Sequence, residues 1–176
     1  MIKRLLVAID GSEHAAKALD LASEIAGRFE AELVAVHVIS DKPLSDAERK
    51  MAEVEFQGEV ARDSDLRRLA EAGDMRLLSQ RLAEQAAETA SRFRFALGER
   101  LVGDATRRAG HKGARNVRTL LLKGDPASAI LGAAQQETAD IIVLGRRGLG
   151  DLAGLLLGSV SHKISHLAEC ACLTVR

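Results

Sequence analysis

The chain has 176 residues, of which 47% are hydrophobic and 28% charged, and its formal net charge is zero. This composition is typical of a globular protein, and the length suits a single domain over residues 1–176. A neutral chain has no overall field to attract nucleic acid or an anionic membrane, and the apolar run near the N-terminus is too short for a signal peptide or a membrane span. We therefore expect a cytoplasmic protein that binds neither nucleic acid nor membrane.

The first 40 residues predict a strand, a helix and a second strand. Apolar runs from Arg4 to Ile9 and from Glu32 to Ile39 indicate the two strands. The helix between them begins after Ser12, a residue type that commonly caps helix N-termini. Its apolar stripe consists of Ala15, Ala18, Leu19, Ala22, Ile25, Ala26 and Phe29. A strand–helix–strand unit of this kind favours a parallel sheet.

Residues 41 to about 113 are highly charged and contain no strand candidate. Helical spacing predicts a long amphipathic helix from Met75 to about Arg108. The residues that keep this spacing are Leu78, Leu82, Ala86, Thr89, Phe93, Leu97 and Leu101. The segment from Ser45 to Ala72 has a helical composition with a weaker stripe, and Gly73 and Asp74 would separate the two helices. A helical insertion in one domain is the simplest interpretation, and a separate small domain is the alternative; the insertion could form a hairpin or a lid.

The remainder restores the strand pattern. We expect strands at Asn116 to Leu122, at Asp140 to Gly145 and in the final "CLTVR". Asp125 and Pro126 begin the helix after the first of these strands, since proline lacks an N–H that the first helical position does not need. Val160, Ile164 and Leu167 predict the buried stripe of the last helix. The order predicts an α/β fold, a five-stranded, doubly wound parallel sheet with a helical insertion after the second strand.

Three smaller features belong to this prediction. Cys170 and Cys172 are expected to be reduced thiols in or near the core, and to point to opposite faces of an extended segment. His37 is expected to be packed or hydrogen-bonded in the second strand. His162 and His166, with Glu169 nearby, have the spacing of a metal pair on a helix, but a solvated helix face is the better interpretation because no third ligand lies at a suitable spacing.

The stretch "GRRGLGDLAGLLLGS", Gly145 to Ser159, joins the fourth strand to the last helix. Glycines let backbone approach a ligand closely, and a helix N-terminus favours anions, so this connection predicts a phosphate site. The alternative is a merely flexible loop, although connections of this length are usually functional or disordered. The stretch lacks the spacings G-x-x-x-x-G-K-[ST] and G-x-G-x-x-G. Its glycines instead follow G-x2-G-x9-G-[ST].

With this spacing the sequence resembles the ATP-binding branch of the universal stress protein family. The segments "LLVAIDGSEHAAKAL", "AVHVI", "GDPASAI" and the block from Ala139 to Arg176 all resemble that family, and together they cover about 1–40 and 116–176. Ala171 stands where the family usually has proline before the last strand. The resemblance implies the Rossmann-like fold of adenine nucleotide alpha hydrolases.

The resemblance also implies a site for ATP between the first and fourth strands. Asp10 matches an acidic residue on the ribose side that helps to hold a metal, and Val38 matches the position whose backbone recognises adenine. The residues implied to contact ribose and phosphate are Gly145, Gly148, Gly158, Ser159 and Val160. Mg²⁺ usually accompanies a triphosphate. Arg146 and Arg147 could add positive charge, although arginines on exposed loops are usually solvated.

Three functions are compatible with these features. The first is a regulatory module that binds ATP with little or slow hydrolysis, forms a homodimer through its last strand and reports to an unidentified protein partner. The second is an ATPase or a phosphoryl or nucleotidyl transferase, which needs a base from Asp10, His162 or the insertion. The third is a ligand-free interaction module whose helices in 41–113 bind the partner; the intact glycine set argues against it.

Overall fold

The computed structural model describes residues 1–40, 68, 72, 74–148 and 157–176. Five strands and four helices lie in these ranges. They are β1 (Arg4–Ala8), α1 (Glu13–Phe29), β2 (Glu32–Ile39), α2 (Met75–His111), β3 (Asn116–Lys123), α3 (Pro126–Gln136), β4 (Ile141–Gly145), α4 (Ser159–Leu167) and β5 (Ala171–Val175). Each matches a predicted element to within a few residues. The helix expected between Ser45 and Ala72 falls almost wholly outside the described residues.

All five strands form one parallel sheet in the order β3-β2-β1-β4-β5. The central strand β1 pairs on both sides, with Leu5 opposite Leu33 of β2 and opposite Ile141 of β4. The chain winds outward from β1 through β2 to β3 and then continues on the other side with β4 and β5. The predicted doubly wound α/β fold is therefore confirmed, and its strand order reverses between β1 and β4.

Two apolar cores cover the faces of the sheet. Strand residues alternate between them, so that Leu5 and Val7 belong to one core whereas Leu6 belongs to the other. The first core includes α1 and the C-terminal part of α2, and the second includes α3 and Ile164 of α4. Burial on both faces explains why the strands read as nearly continuous apolar runs.

The chain divides into two compact units, Met1–Asp41 with Gly98–Arg176 and, separately, Lys42–Leu97. In the first unit, Val102, Ala105 and Ala109 of α2 are buried in the core. Asp20 of α1 holds this part of α2 through Arg108 Nε at 2.5 Å and Lys112 Nζ at 3.2 Å. These ion pairs lower the pKa of Asp20.

In the second unit, the predicted apolar stripe of α2 is buried only in part. Phe93 is 4% exposed, whereas Leu82 is 44% exposed. Helix α2 begins at the predicted break, because Asp74 Oδ1 accepts a hydrogen bond from Leu77 N–H at 3.1 Å. The interpretation of residues 41 to about 113 as an insertion in a single domain stays a prediction.

Both predicted helix caps are present. Ser12 Oγ accepts the N–H of Ala15 at 3.2 Å at the start of α1. Asp125 Oδ1 accepts the N–H of Ser128 at 3.0 Å at the start of α3, where Pro126 is the first helical residue. Asp125 also pairs with Lys163 Nζ of α4 at 3.1 Å. Its hydrogen bonds to Ser128 and Lys163 lower the pKa of Asp125 to about 2.

The buried stripes of two helices were predicted incorrectly at their ends. Leu167 is 58% exposed and Phe29 is 54% exposed. Each is the last residue of its helix. The core does not extend to these helix ends, so a side chain on the buried side of the helix is exposed there. Ser23 and Ser161 are buried in those helices instead; Ser23 Oγ donates to Leu19 O at 2.6 Å, which satisfies its hydroxyl.

Cys170 and Cys172 are both free and both pack against the core formed with α3 and α4. The expectation that they point to opposite faces is wrong, because alternate residues of an extended segment share a face. Burial raises the pKa of both thiols. Within the ranges that the structure describes, no helix is both long and apolar enough to cross a bilayer.

Candidate functional site

The sequence-predicted site residues meet at the carboxyl edge of the sheet, where the strand order reverses. Asp10 follows β1 by two residues, and Gly145 is the last residue of the adjacent strand β4. Ligands of doubly wound proteins bind outside the carboxyl ends of the strands at this reversal. The fold therefore brings together residues that are 135 positions apart in sequence.

Gly145 lies directly against the N-terminus of α1. A Cβ added to Gly145 would lie 2.7 Å from Ala15 N and 2.7 Å from the carbonyl carbon of His14. Both atoms belong to the backbone, which cannot move aside as the tip of a side chain can. Glycine is required here by close approach, and this approach fixes the end of β4 against the start of α1.

Gly148 lies against the carboxylate of Asp10. A Cβ added to Gly148 would lie 2.5 Å from Asp10 Oδ2. The other oxygen, Oδ1, accepts the N–H of Ser12 at 2.9 Å, which orients the carboxylate. The first two glycines of the G-x2-G-x9-G-[ST] spacing therefore lie against the start of α1 and against Asp10, which both flank the predicted site.

Ser12 is a residue of this site that the sequence interpretation did not include. Besides capping α1, its hydroxyl donates to the carbonyl of Arg147 at 3.3 Å. The side chain is buried, although serine is mostly exposed in proteins. Its predicted capping role was the signal in the sequence, but nothing in the sequence indicates a partner in the loop after β4.

The third glycine begins α4 at the same edge. Gly158 N–H donates to the carbonyl of Arg146 at 2.9 Å, and Gly158 supplies no side-chain cap to the helix. The first N–H groups of a helix have no acceptor within it, so those of Ser159 and Val160 are suited to an anion. The Ser159 side chain is exposed, whereas the Val160 side chain packs partly against the core. Only the backbone of Val160 is therefore suited to contact a ligand.

Val38 lies near the carboxyl end of β2, beside β1, and pairs with Leu122 of β3. Its half-buried side chain packs against the core, so Val38 presents backbone rather than side chain at this edge. The neighbouring His37 is hydrogen-bonded as predicted, with Nδ1 2.9 Å from Ile9 O. The structure thus places Val38 at the same sheet edge as Asp10 and Gly145.

Helix α2 reaches this edge within the first unit. A Cβ added to Gly98 would lie 2.7 Å from Leu121 Cδ1 and 3.2 Å from His37 Cδ2. Leu101 lies 3.3 Å from the corresponding position on Gly11, whose φ of +83° is one that glycine adopts without strain. The residue that follows Asp10 is therefore packed against α2.

The residues present fit a phosphorylated ligand. Helix N–H groups and glycine backbone supply donors for phosphate, and Asp10 supplies a carboxylate that suits a ribose hydroxyl or a cation. Mg²⁺ bound with a triphosphate commonly uses one or two carboxylates together with phosphate oxygens, so one acidic side chain fits that mode. Residues 149–156 of the glycine-rich stretch lie outside the described residues.

The histidine pair on α4 has no third potential metal ligand among the described residues. His162 and His166 are exposed, and their ring centroids are 4.6 Å apart. In the part of the chain that the structure describes, no group of three or more potential ligands from histidine, cysteine, aspartate and glutamate is present. The interpretation as a solvated helix face agrees with this exposure.

The doubly wound parallel sheet defines an α/β protein of the Rossmann-like class. A model of the Universal stress protein family matches residues 1–176, and the chain belongs to that family. It is 31% identical over 176 residues to Universal stress protein YxiE of Bacillus subtilis, with 100% of both chains covered. It is 34% identical over 177 residues to a Thermus aquaticus protein, Universal stress protein in QAH/OAS sulfhydrylase 3'region, again with 100% of both covered.

Solved structures show the same fold at lower identity. Universal stress protein UspA from Lactobacillus plantarum has a TM-score of 0.64 and 23% identity, over 99% of this chain and 98% of that one. A universal stress protein in complex with cAMP has a TM-score of 0.61 and 23% identity, over 99% and 97%. A protein from Archaeoglobus fulgidus in complex with dAMP has a TM-score of 0.56 and 16% identity, over 100% and 98%.

Proposed function

We propose that this universal stress protein binds ATP with Mg²⁺ and acts as a nucleotide-dependent regulatory module. The observation that carries the proposal is the contact of Gly148 with Asp10 and of Gly145 with the start of α1. These contacts join the loops after β1 and β4 at the reversal of the strand order, with the N-terminus of α4 beside them. The complexes of related proteins with cAMP and dAMP support an adenine nucleotide as the ligand.

Each predicted residue then has a role that its position allows. Val38 offers backbone groups to adenine, and Asp10 contacts the ribose side and the metal. Gly145 and Gly148 let the backbone approach the ribose and the phosphates. Ser159 and the N–H groups at the start of α4 bind phosphate. Mg²⁺ supplies charge neutralisation of the phosphate oxygens when it is bound.

We expect little or slow hydrolysis. A general base must lie within hydrogen-bond reach of the attacking water. Asp10 is assigned to the ribose and the metal, and the glycines, serines and arginines assigned to the ligand supply hydrogen-bond donors rather than a base. Asp10 itself is held by the Ser12 N–H at 2.9 Å. Occupancy of the site, and not turnover, is therefore the property that a protein partner would read.

The first experiment measures the nucleotide that accompanies the purified protein. Because the chain contains no tryptophan or tyrosine, an adenine absorbance band is visible over its own weak spectrum. The protein is purified without added nucleotide and denatured, and the released small molecules are identified by mass spectrometry. Close to one adenine nucleotide per chain supports the proposal. A chain that carries none and takes up none from Mg²⁺ and ATP contradicts it and favours the ligand-free interaction module.

Matched glycine variants locate the site. Gly148→Ala forces Cβ against Asp10 Oδ2, so we expect at least a tenfold loss of affinity, about 1.4 kcal/mol. Gly132→Ala in α3 is the control, because a Cβ there meets nothing within 4 Å. Equal affinities of the two variants, measured by titration calorimetry, would place the nucleotide elsewhere.

A further inference from the structure

Arg146 is an unusual arginine in this structure. It is half-buried, and its Nε is shielded from water without a hydrogen-bond acceptor among the described residues. Its charged neighbours are Arg147 and Arg176, which carry the same sign. Burial and these two like charges lower the pKa of Arg146. A shielded guanidinium beside like charges is unfavourable unless an anion compensates it.

Other arginines of the chain do find carboxylates. Arg4 and Arg118 pair with Glu32, at 2.6 Å and 2.9 Å, and Arg108 pairs with Asp20. These ion pairs hold the sheet and helices together. They account for the charges of these arginines without any ligand. Arg146 has no comparable partner in the described ranges, although it lies in the motif that follows β4.

The backbone of Arg146 is fixed beside the start of α4. Its N–H donates to Val175 O at 2.7 Å, and its carbonyl accepts the N–H of Gly158 at 2.9 Å. Arg146 also follows directly after Gly145. The residue therefore stands between the end of β5 and the helix N-terminus to which the phosphates are assigned.

We propose that Arg146, assisted by the positive charge of Arg147 and Arg176, binds the terminal phosphate groups of the nucleotide. This inference rests on the proposed function and deepens it, because it names nucleoside di- and triphosphates as the preferred ligand class over monophosphates. Guanidinium binds phosphate oxygens through two parallel hydrogen bonds, which gives both geometry and strength. In this proposal a monophosphate would contact the helix N-terminus alone, and only a longer phosphate chain would extend to Arg146.

The test compares AMP, ADP and ATP, each with Mg²⁺, on the wild type and on Arg146→Gln by titration calorimetry. We expect the substitution to weaken ATP binding about tenfold or more, and to change AMP binding by less than about twofold. Arg28→Gln removes the same charge near the opposite edge of the sheet, at the end of α1, and is the control. Equal losses for AMP and ATP, or an unchanged ATP affinity, overturn the inference and leave the proposed function standing.

Two further measurements keep the outcomes separate. Without ligand, Arg146→Gln should raise the unfolding temperature, because it removes a like-charge contact; a lower temperature would mean that Arg146 is structural and contradict the inference. Inorganic triphosphate tests Arg146 without the nucleoside. If the wild type binds triphosphate but no nucleotide, and Arg146→Gln weakens the binding of triphosphate, the proposed function is refuted and the anion site at Arg146 is retained. A wild type that binds neither refutes both.

Discussion

Ser12 is the residue that connects both loops of the site. Its N–H fixes Asp10 Oδ1 at 2.9 Å, and its hydroxyl donates to Arg147 O at 3.3 Å while it accepts the N–H of Ala15. Removal of the hydroxyl would release the start of α1 and the loop that carries Gly148 at the same time. Ser12 is thus a positioning residue for the proposed site.

We expect Ser12→Ala to lower the free energy of unfolding by about 1 kcal/mol, the usual effect of losing a helix cap. It should also weaken nucleotide binding, since the loop that carries Gly148 loses its hydrogen bond from the Ser12 hydroxyl to Arg147 O, although the Ser12 N–H still holds Asp10. Asp125→Ala is the matched control, because it removes a cap of the same kind from α3. Denaturant unfolding and calorimetric titration measure the two effects. If both variants lose affinity equally, or if Ser12→Thr fails to restore binding, Ser12 acts through stability alone.

At this scale the sequence indicated residues that the fold brings together, and their role in binding a ligand stays a prediction. The glycine spacing identified Gly145, where a Cβ would meet backbone, and Gly148, where a Cβ would meet the Asp10 carboxylate. The contact of Ser12 with Arg147 could not be predicted, since it depends on how two loops meet across adjacent strands. The buried Nε of Arg146 could not be predicted for a similar reason, since loop arginines are commonly exposed and only the fold shows this atom shielded from water.

At the scale of elements, the helical glycines differ in what surrounds them. A Cβ on Gly27 in α1 would lie 2.5 Å from Gly113 O, a backbone atom that precedes β3. A Cβ on Gly103 in α2 would meet only Arg107 Nη1, at 3.9 Å. Glycine at the first position permits two segments to touch, whereas at the second it only weakens the helix.

Alanine substitutions should therefore act in opposite directions. Gly103→Ala should raise the free energy of unfolding by about 0.5–1 kcal/mol, the difference in helix propensity between the two residues. Gly27→Ala gains the same propensity but must displace the backbone near Gly113, so we expect a net loss. Chemical denaturation of both variants against wild type checks the pair. A stabilised Gly27→Ala would show that the segment at Gly113 yields without cost.

The elements themselves were largely predictable, and the errors have one physical origin. Strands buried on both faces give continuous apolar runs, so β1, β2 and β4 were located to within a residue. Helical spacing indicates the side of the helix on which a residue lies. It does not indicate whether the core extends along the helix as far as that residue. Leu167 and Phe29 lie on the correct side but at the helix ends, which explains their exposure.

At the scale of the whole molecule, β5 is an edge strand of the described sheet. Val175 O accepts the N–H of Arg146 at 2.7 Å, so the backbone polar groups of Val175 face the neighbouring strand β4. Successive residues of a strand present these groups to opposite sides, and Thr174 therefore presents its N–H to the open edge. An open edge of this kind is a template for pairing with another chain. The homodimer through the last strand that the sequence predicts would use this edge.

Thr174→Pro tests whether that homodimer forms by backbone pairing, because it removes a single backbone N–H group. Proline removes the N–H that faces the open edge, whereas the hydrogen bonds from β5 to β4 come from the neighbouring residues, so the fold should persist. We expect the wild type to sediment as a dimer and Thr174→Pro as a monomer with an unchanged circular dichroism spectrum. Thr174→Val keeps the N–H and should remain dimeric. A wild-type monomer, or a dimeric Thr174→Pro, would exclude backbone pairing through β5. Nucleotide titration of the monomeric variant then shows whether the site is complete within one chain, as the convergence of Asp10, Gly145 and Gly158 in a single chain leads us to expect.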